Sequence, residues 1–381
     1  MKYRLIACLA LTLPAWAQIR TEKLHGRDVW TLETRELRVS FTQSGGHFVD
    51  IALPEGGLVN PLWIQKQATI DTEQYLPQRD EETYGKGSGA RLMAGLLGHN
   101  LCFPFWGDPT EKEYRAGMTF HGETGVVRWQ RVPAGPEILV IRADLPESRT
   151  AFSRSIRLAG RVAYFDSRGI NLSAWDRPIG WCEHATIGPP FLERGVTRMD
   201  ASVTRGRDSG DESGKEYRWP QGVADGQAID LRTVRVVDKS GFVNNFLVDP
   251  AREFGFVAAT HPVKRQVFGY LFRRTEFPWL NIWEANNPNM LTRGLEFSNT
   301  PTHGTMKRMF AAKPLFGATM FDWLDAKSTL RKRFVAFLSP APEGFKGVSD
   351  VRIRGAKLEI VEAGGGQVIA LDFDPAFFSR Q

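Results

Sequence analysis

Short runs of alternating apolar and polar residues, separated by turns, recur along most of this chain and restrict it to a β-rich fold. Residues 29–34, 37–41 and 137–143 are examples. Such alternation is typical of strands that bury one face. Helical periodicity is scarce, and its best instance predicts a short helix at 321–332. Strands without intervening helices predict an all-β protein, built as a large antiparallel β-sandwich.

The same pattern divides the chain into strands and connections. A further strand is predicted at 125–129, and residues 54–118, rich in Pro, Gly and charge, are predicted to form long irregular connections. The polar stretch 205–216 is predicted to be an exposed loop. We find no internal repeat and no linker, so one sandwich domain is expected over residues 18–381.

The first 17 residues have the composition of a cleavable secretory signal peptide. Lys2 and Arg4 precede a short apolar run, and an Ala-x-Ala site ends at Ala17. The run is too short to span a membrane as a helix. Export to the periplasm or the medium is therefore expected, and no membrane partner is expected for the mature chain.

Charge and cysteine content argue against several functions. The net charge is +6, and removal of Lys2 and Arg4 lowers it to +4, which is too mild to indicate nucleic-acid binding. Cys102 and Cys182 remain after export, and the sequence leaves open whether they form a disulfide. The seven histidines are dispersed without metal-ligand spacing, so neither a metal nor another cofactor is expected.

Three stretches carry residues suited to proton transfer. His184 follows a strand-like segment and precedes a rigid Gly-Pro-Pro turn, and His121 precedes a glycine. Glu296 is flanked by Leu295 and Phe297, which would point to the opposite face of a strand. Each residue has an alternative interpretation: a satisfied polar pair for His184, a solvent-facing loop for His121, and a surface strand for Glu296.

Aromatic residues cluster upstream of Glu296. Trp279 and Trp283 offer flat rings beside polar groups, an arrangement suited to the apolar face of a sugar ring. A hydrophobic core uses such residues equally well. Both tryptophans are nevertheless candidates for substrate binding.

The order of these motifs resembles the galactose mutarotase (aldose 1-epimerase) superfamily. The resemblance covers about residues 25–375 and rests on His121 in His-Gly, Asn171, His184, and Glu296 within Arg-Gly-Leu-Glu-Phe. It implies a galactose mutarotase-like supersandwich. It also implies that His184 is the general acid, Glu296 the general base, and His121 a sugar-binding residue.

This sequence departs from the family pattern in three places, one of which is that the substrate-binding aspartate of the family has no clear match. The residues around His184 differ from the usual Asn-His-x-Tyr-Phe-Asn. The early Gly-Arg-x-x-Asn-Arg motif has no clear counterpart, and His99 or Arg91 are the candidates for its place as substrate-binding residues.

The sequence therefore predicts an exported, cofactor-free aldose 1-epimerase-like enzyme that interconverts the anomers of a sugar or oligosaccharide. The first alternative is a carbohydrate-binding protein of the same fold without catalysis. The second is a polysaccharide lyase on a similar sandwich, for which the usual tyrosine near His184 or Glu296 is not evident.

Overall fold

The computed structural model describes residues 17–209 and 215–379, and the predicted signal peptide lies almost entirely outside them. Strands dominate these ranges, because most apolar residues alternate with polar ones. Strands β1 to β14 are Gln18–Leu24, Arg27–Glu33, Arg38–Thr42, Phe48–Ala52, Asn100–Cys102, Gln130–Val132, Ile138–Leu145, Thr150–Ala159, Val162–Asn171, Arg177–Ile179, Cys182–His184, Thr186–Ile187, Arg198–Ala201 and Val203–Asp208.

The second half of the chain continues in the same way. Strands β15 to β28 are Tyr217–Arg218, Gln221–Ala224, Gln227–Asp230, Ser240–Val248, Phe254–His261, Gln266–Arg273, Trp279–Asn286, Leu291–Gly294, Glu296–Ser298, Asp322–Leu324, Thr329–Pro340, Val348–Arg354, Lys357–Glu362 and Val368–Asp372. Helices α1 to α4 are short: Pro77–Tyr84, Ala90–Gly95, Glu111–Arg115 and Met306–Ala311. Within the described ranges, no helix is long and apolar enough to cross a membrane.

Two large antiparallel sheets pack against each other. One has eight strands in the order β13-β19-β20-β25-β9-β8-β7-β6, and the other has nine, with β15-β14-β18-β21-β23-β11-β5 as its main path. Phe297 of the nine-stranded sheet stacks on Phe272 of the eight-stranded sheet with ring centroids 4.6 Å apart. Aromatic contacts of this kind contribute about 0.5–1.5 kcal/mol each beyond the area they bury. The all-β, antiparallel sandwich prediction is confirmed.

Two smaller sheets extend this core. The sheet β1-β2-β3-β4 contributes Phe48, whose ring lies 5.4 Å from that of Phe165 in the eight-stranded sheet. The C-terminal sheet β26-β27-β28 packs Leu358 and Ile360 into an apolar cluster with Val162 and Tyr164, on the outer face of the eight-stranded sheet. That sheet is therefore covered on both faces.

Four local predictions are wrong in whole or in part. Residues 321–332 form no helix: they contain β24 and the start of β25, a strand hydrogen-bonded to neighbours on both edges. Residues 125–129 are not a continuous strand: a turn, closed by a hydrogen bond from Val126 N–H to the Glu123 carbonyl, leads into a single antiparallel bridge between Arg128 and Ser44. The stretch 54–118 contains α1, α2, α3 and β5. Part of the predicted loop 205–216 belongs to β14, and residues 210–214 lie outside the described residues.

Candidate active site

A row of polar side chains crosses the nine-stranded sheet on the face opposite the sandwich core. Strand register pairs Asn100 with His184, Glu296 with Asn281, Asn281 with Asn245, and Asn245 with Arg207. Residues paired directly across antiparallel strands project from the same face. We call these six residues, His184 and Glu296 included, the polar row.

The alternation of strand side chains creates this row. In β23 the ring of Phe297 enters the core, so Glu296 and Ser298 project from the other face. This confirms the predicted orientation of Phe297. Hydrogen bonds link the row internally, from Asn245 to Asn281 (2.6 Å) and from Asn281 to Ser298 (2.9 Å). The carboxylate of Glu296 is thus buried among polar groups rather than hydrocarbon.

His184 and Glu296 meet at the centre of the polar row. His184 Nε2 lies 2.8 Å from Glu296 Oε1, and the exposed fractions of the two side chains are 9% and 0%. The carboxylate oxygen lies off the direction required for a hydrogen bond, and Oε1 has no hydrogen-bond partner among the described residues. The pair therefore holds a buried acceptor that a ligand hydroxyl can engage.

His121 lies beside this pair in a fixed orientation. Its ring centroid is 5.1 Å from that of His184. The N–H of Gly107 donates to His121 Nδ1 (3.0 Å), so the neutral ring carries its proton on Nε2. Burial lowers the pKa of His121 well below its usual value, and the positive potentials of His184 and His303 lower it further. At neutral pH His121 is therefore an uncharged N–H donor.

The local backbone explains the glycine after His121. His121 has a φ of 66° and Gly122 has a φ of 80°, so the chain turns sharply through two left-handed residues. A Cβ at Gly122 would lie 2.2 Å from the carbonyl oxygen of Phe103. Only glycine fits this turn without displacing the neighbouring backbone.

His303 was not predicted, yet it completes a row of three imidazoles. Its ring lies 5.5 Å from that of His121 and 5.0 Å from that of Trp106. Burial lowers its pKa to about 4 against the raising influence of Asp108. The sequence offered one signal: His303-Gly304 is a third His-Gly pair, after His25-Gly26 and His121-Gly122, and it follows shortly after Glu296.

The two predicted tryptophans have different surroundings. Trp283 is half-buried with its ring 5.6 Å from that of His184. It lies over Gly294, where a Cβ would come within 1.8 Å of the indole. Trp279 is fully buried, and its indole N–H donates to the Thr319 carbonyl (2.7 Å). The structure thus brings Trp283 to the pair and leaves Trp279 as a packing residue.

His99 lies on the opposite face of the sheet from His184. Its side chain is fully buried between the sheets, with Nε2 2.8 Å from Glu183 and Nδ1 3.1 Å from the Tyr270 hydroxyl. Arg154 also binds Glu183, at 2.5 Å. Burial lowers the pKa of His99 despite its carboxylate partner. With both ring nitrogens engaged inside the core, His99 is not positioned to contact a substrate held by His184.

Arg91 also lies away from the pair. It belongs to α2, is half-buried, and donates from Nε to the Thr72 carbonyl at 3.1 Å. The substrate-binding predictions for His99, Arg91 and Trp279 therefore gain no support from their positions.

The structure also shows the state of the two cysteines and whether side chains gather to bind a metal. Cys102 and Cys182 lie directly opposite each other on β5 and β11, and both are free thiols. Within residues 17–209 and 215–379, no three His, Cys, Asp or Glu side chains form a group that could hold a metal ion.

Two cavities border this face of the molecule, and neither is lined by His184 or Glu296. The larger, about 780 Å³, is lined by residues that include Trp63, Lys66 and Arg194. The smaller, about 450 Å³, is lined by residues that include Arg207 and His303. His303 and Arg207 line the smaller cavity, and the ring of His303 lies 5.5 Å from that of His121.

Comparison with known proteins identifies the fold. No protein-family model matches the chain, and no curated protein sequence does. Among solved structures, it is similar to a galactose mutarotase-like protein from Clostridium acetobutylicum, at 14% identity and a TM-score of 0.60 over 85% of this chain and 99% of that one. A candidate aldose 1-epimerase from Klebsiella pneumoniae matches at 14% identity and a TM-score of 0.59, over 84% and 83% of the two chains.

A third similar structure is a galactose mutarotase related enzyme from Lactobacillus acidophilus, at 11% identity and a TM-score of 0.55 over 83% of this chain and 99% of that one. Such low identities establish architecture alone. The chain has the galactose mutarotase-like β-sandwich fold, and the predicted resemblance is confirmed at that level.

Proposed function

We propose that this protein is an aldose 1-epimerase-like enzyme that opens a sugar ring by acid–base catalysis and lets it close as the other anomer. The observation that carries the proposal is the 2.8 Å contact between His184 Nε2 and Glu296 Oε1. Two groups this close can reach two oxygens bonded to the same carbon, as the ring oxygen and O1 of an aldose are.

The roles follow from the chemistry of the two groups. Glu296, as carboxylate, takes the proton from the O1 hydroxyl while His184, as imidazolium, protonates the ring oxygen. The bond between C1 and the ring oxygen breaks, and its electron pair goes to that oxygen as O1 becomes a carbonyl. After rotation about C1–C2, the ring closes with the two groups in reversed roles. Each group contributes about 10²–10⁴-fold to such a reaction.

Neighbouring residues supply binding rather than proton transfer. His121, neutral and held by Gly107, donates Nε2–H to a sugar oxygen without competing for the transferred proton. The half-buried ring of Trp283 offers a flat apolar surface beside His184. A sugar has a polar edge and an apolar face, which fit these two neighbours respectively.

Polarimetry tests the proposal directly. Fresh α-glucose and α-galactose lose rotation slowly by themselves, and the protein is expected to accelerate this change. His184→Asn is expected to abolish the acceleration. His25→Asn is the matched control, because His25 is exposed in the turn between β1 and β2.

One observation favours a second candidate, a carbohydrate-binding protein without turnover. The residues around His184, Glu183-His184-Ala185-Thr186-Ile187-Gly188, differ from the Asn-His-x-Tyr-Phe-Asn sequence usual at the general acid of the family that the chain resembles. Sugar binding without faster anomerisation would support this alternative over the enzyme.

We also propose that the protein is exported after cleavage behind Ala17. β1 begins at Gln18, so this cleavage removes none of the described strands. Expression of the full chain in a Gram-negative host, followed by N-terminal sequencing, is expected to yield a periplasmic protein that begins at Gln18. A cytoplasmic product that retains the leader would reject export.

A further inference from the structure

Positively charged side chains concentrate at one end of the polar row. The cavity of about 450 Å³ beside His303 is lined by Arg207, Arg308 and Lys313, and its other described lining residues include no carboxylate. His303 is uncharged at neutral pH, because its pKa is about 4. The positive charge that this cavity offers to a ligand therefore comes from Arg207 and Lys313 and persists across the neutral range.

Two sets of neighbouring residues link this cavity to the proposed catalytic pair. Arg207 is the last member of the polar row, three strands away from Glu296, which corresponds to roughly 14 Å between their Cα atoms. His303 provides a second connection, since it lines the cavity and its ring contacts that of His121. One ligand can therefore contact the pair with one end and the cavity with the other.

Among the residues that the structure describes, no carboxylate forms an ion pair with Arg207. Its Nε atom is buried without a hydrogen-bond partner among them. Arg205 on the same strand also has a buried Nε without a hydrogen bond, but the carboxylate of Glu216 lies 3.4 Å from it, and Arg198 pairs with Asp200 at 2.9 Å. A buried guanidinium nitrogen without an acceptor is unfavourable, and an anion that accepts from it relieves this cost.

We infer that the sugar bound by this protein carries an anionic group remote from its anomeric carbon, and that Arg207 and Lys313 bind this group. The inference rests on the proposed function for the position of the anomeric carbon. Phosphate, sulfate and carboxylate share the required chemistry: each presents two or more negatively charged oxygen acceptors to a guanidinium. A neutral aldose would offer no charged acceptor to the buried Nε of Arg207.

Calorimetric binding of matched sugars tests the inference without relying on turnover. The probes are glucose, glucose 6-phosphate, glucose 6-sulfate, glucuronate and inorganic phosphate alone. At least one acidic sugar is expected to bind about 10- to 100-fold more tightly than glucose, the effect of one or two charge-assisted hydrogen bonds. The acid that binds most tightly identifies the anionic group.

Variants assign this preference to named residues. Arg207→Gln is expected to reduce the affinity ratio of acidic to neutral sugar about 10-fold or more, and Lys313→Gln less, because Lys313 is exposed. Lys66→Gln is the matched control: Lys66 is likewise an exposed lysine at a cavity, the larger one, and its loss is expected to leave the ratio unchanged. Thermal melts of all variants verify folding.

The outcomes separate this inference from the proposed function. Equal affinity for glucose and every acidic sugar, or an unchanged ratio in Arg207→Gln, would overturn the inference even if anomerisation is fast. Inorganic phosphate binding as tightly as glucose 6-phosphate would overturn it as well, because no sugar would then be recognised. Conversely, tight Arg207-dependent binding without anomerisation would support it and reject the enzymatic proposal.

Discussion

Replacement of Glu296 by glutamine removes one negative charge from the proposed site and almost nothing else. Glutamine has nearly the same shape as glutamate but cannot accept the O1 proton. The expected loss in the catalysed anomerisation rate is about 10²–10⁴-fold, equivalent to roughly 2.7–5.5 kcal/mol of transition-state stabilisation.

The same substitution should change stability much less. In the structure the buried carboxylate contacts the His184 imidazole and makes one weak thiol contact, in which Cys182 Sγ lies 3.8 Å from Oε2. An imidazole, unlike a guanidinium, can release its proton, so this substitution need not leave an unpaired buried charge. We therefore expect the free energy of unfolding to change by only about 1 kcal/mol.

Polarimetry on a fresh α-anomer, corrected for spontaneous anomerisation, measures the first quantity, and urea denaturation measures the second. His25→Asn, exposed in its turn, should behave like the unaltered protein in both assays. A Glu296→Gln protein that keeps more than a tenth of the rate would refute the assignment of Glu296 as the base. A loss of rate that merely parallels a loss of folded protein would refute the reasoning in the same way.

Three further predictions follow from the structure. The pKa of His303 is about 4 in the folded protein and about 6.5 in the unfolded chain. Its contribution to stability is therefore complete above about pH 6.5 and is lost as the pH falls towards 4. Between pH 7 and pH 4, urea denaturation should show that the free energy of unfolding of the unaltered protein falls by roughly 2–3 kcal/mol more than that of His303→Asn. Glu183→Gln should lower the free energy of unfolding by about 3–5 kcal/mol in the same assay at pH 7, because it leaves the buried Arg154 without its counter-ion. A free energy of unfolding close to that of the unaltered protein would show that the ion pair is dispensable. Gly122→Ala should lower the melting temperature and the sugar affinity together, because its Cβ would overlap the Phe103 carbonyl; an alanine variant that melts and binds normally would contradict the close approach.

Local pattern predicted the fold class because a strand that buries one face must alternate. The side chain of Phe297 points into the core, as the alternation of apolar and polar residues predicted, and Glu296 therefore lies on the other face of the strand. The prediction of a helix at 321–332 was wrong because the local pattern of this segment is weak. The segment is short and only weakly periodic, so it has little intrinsic preference for a helix. The pairing of β25 with β9 and β20 determined its conformation.

The sequence by itself thus determined a β-rich chain and the residue types capable of acid–base chemistry. The tertiary structure alone decided which of those residues share a face. His99 and His184 are both histidines in or beside short strands, but one enters the core with Glu183 and the other leaves it to meet Glu296. His303 joined the site only because the loop that carries it contacts the loop containing Gly107. A shift of one residue along a strand exchanges the two faces of a sheet, and only pairing with other strands fixes that choice.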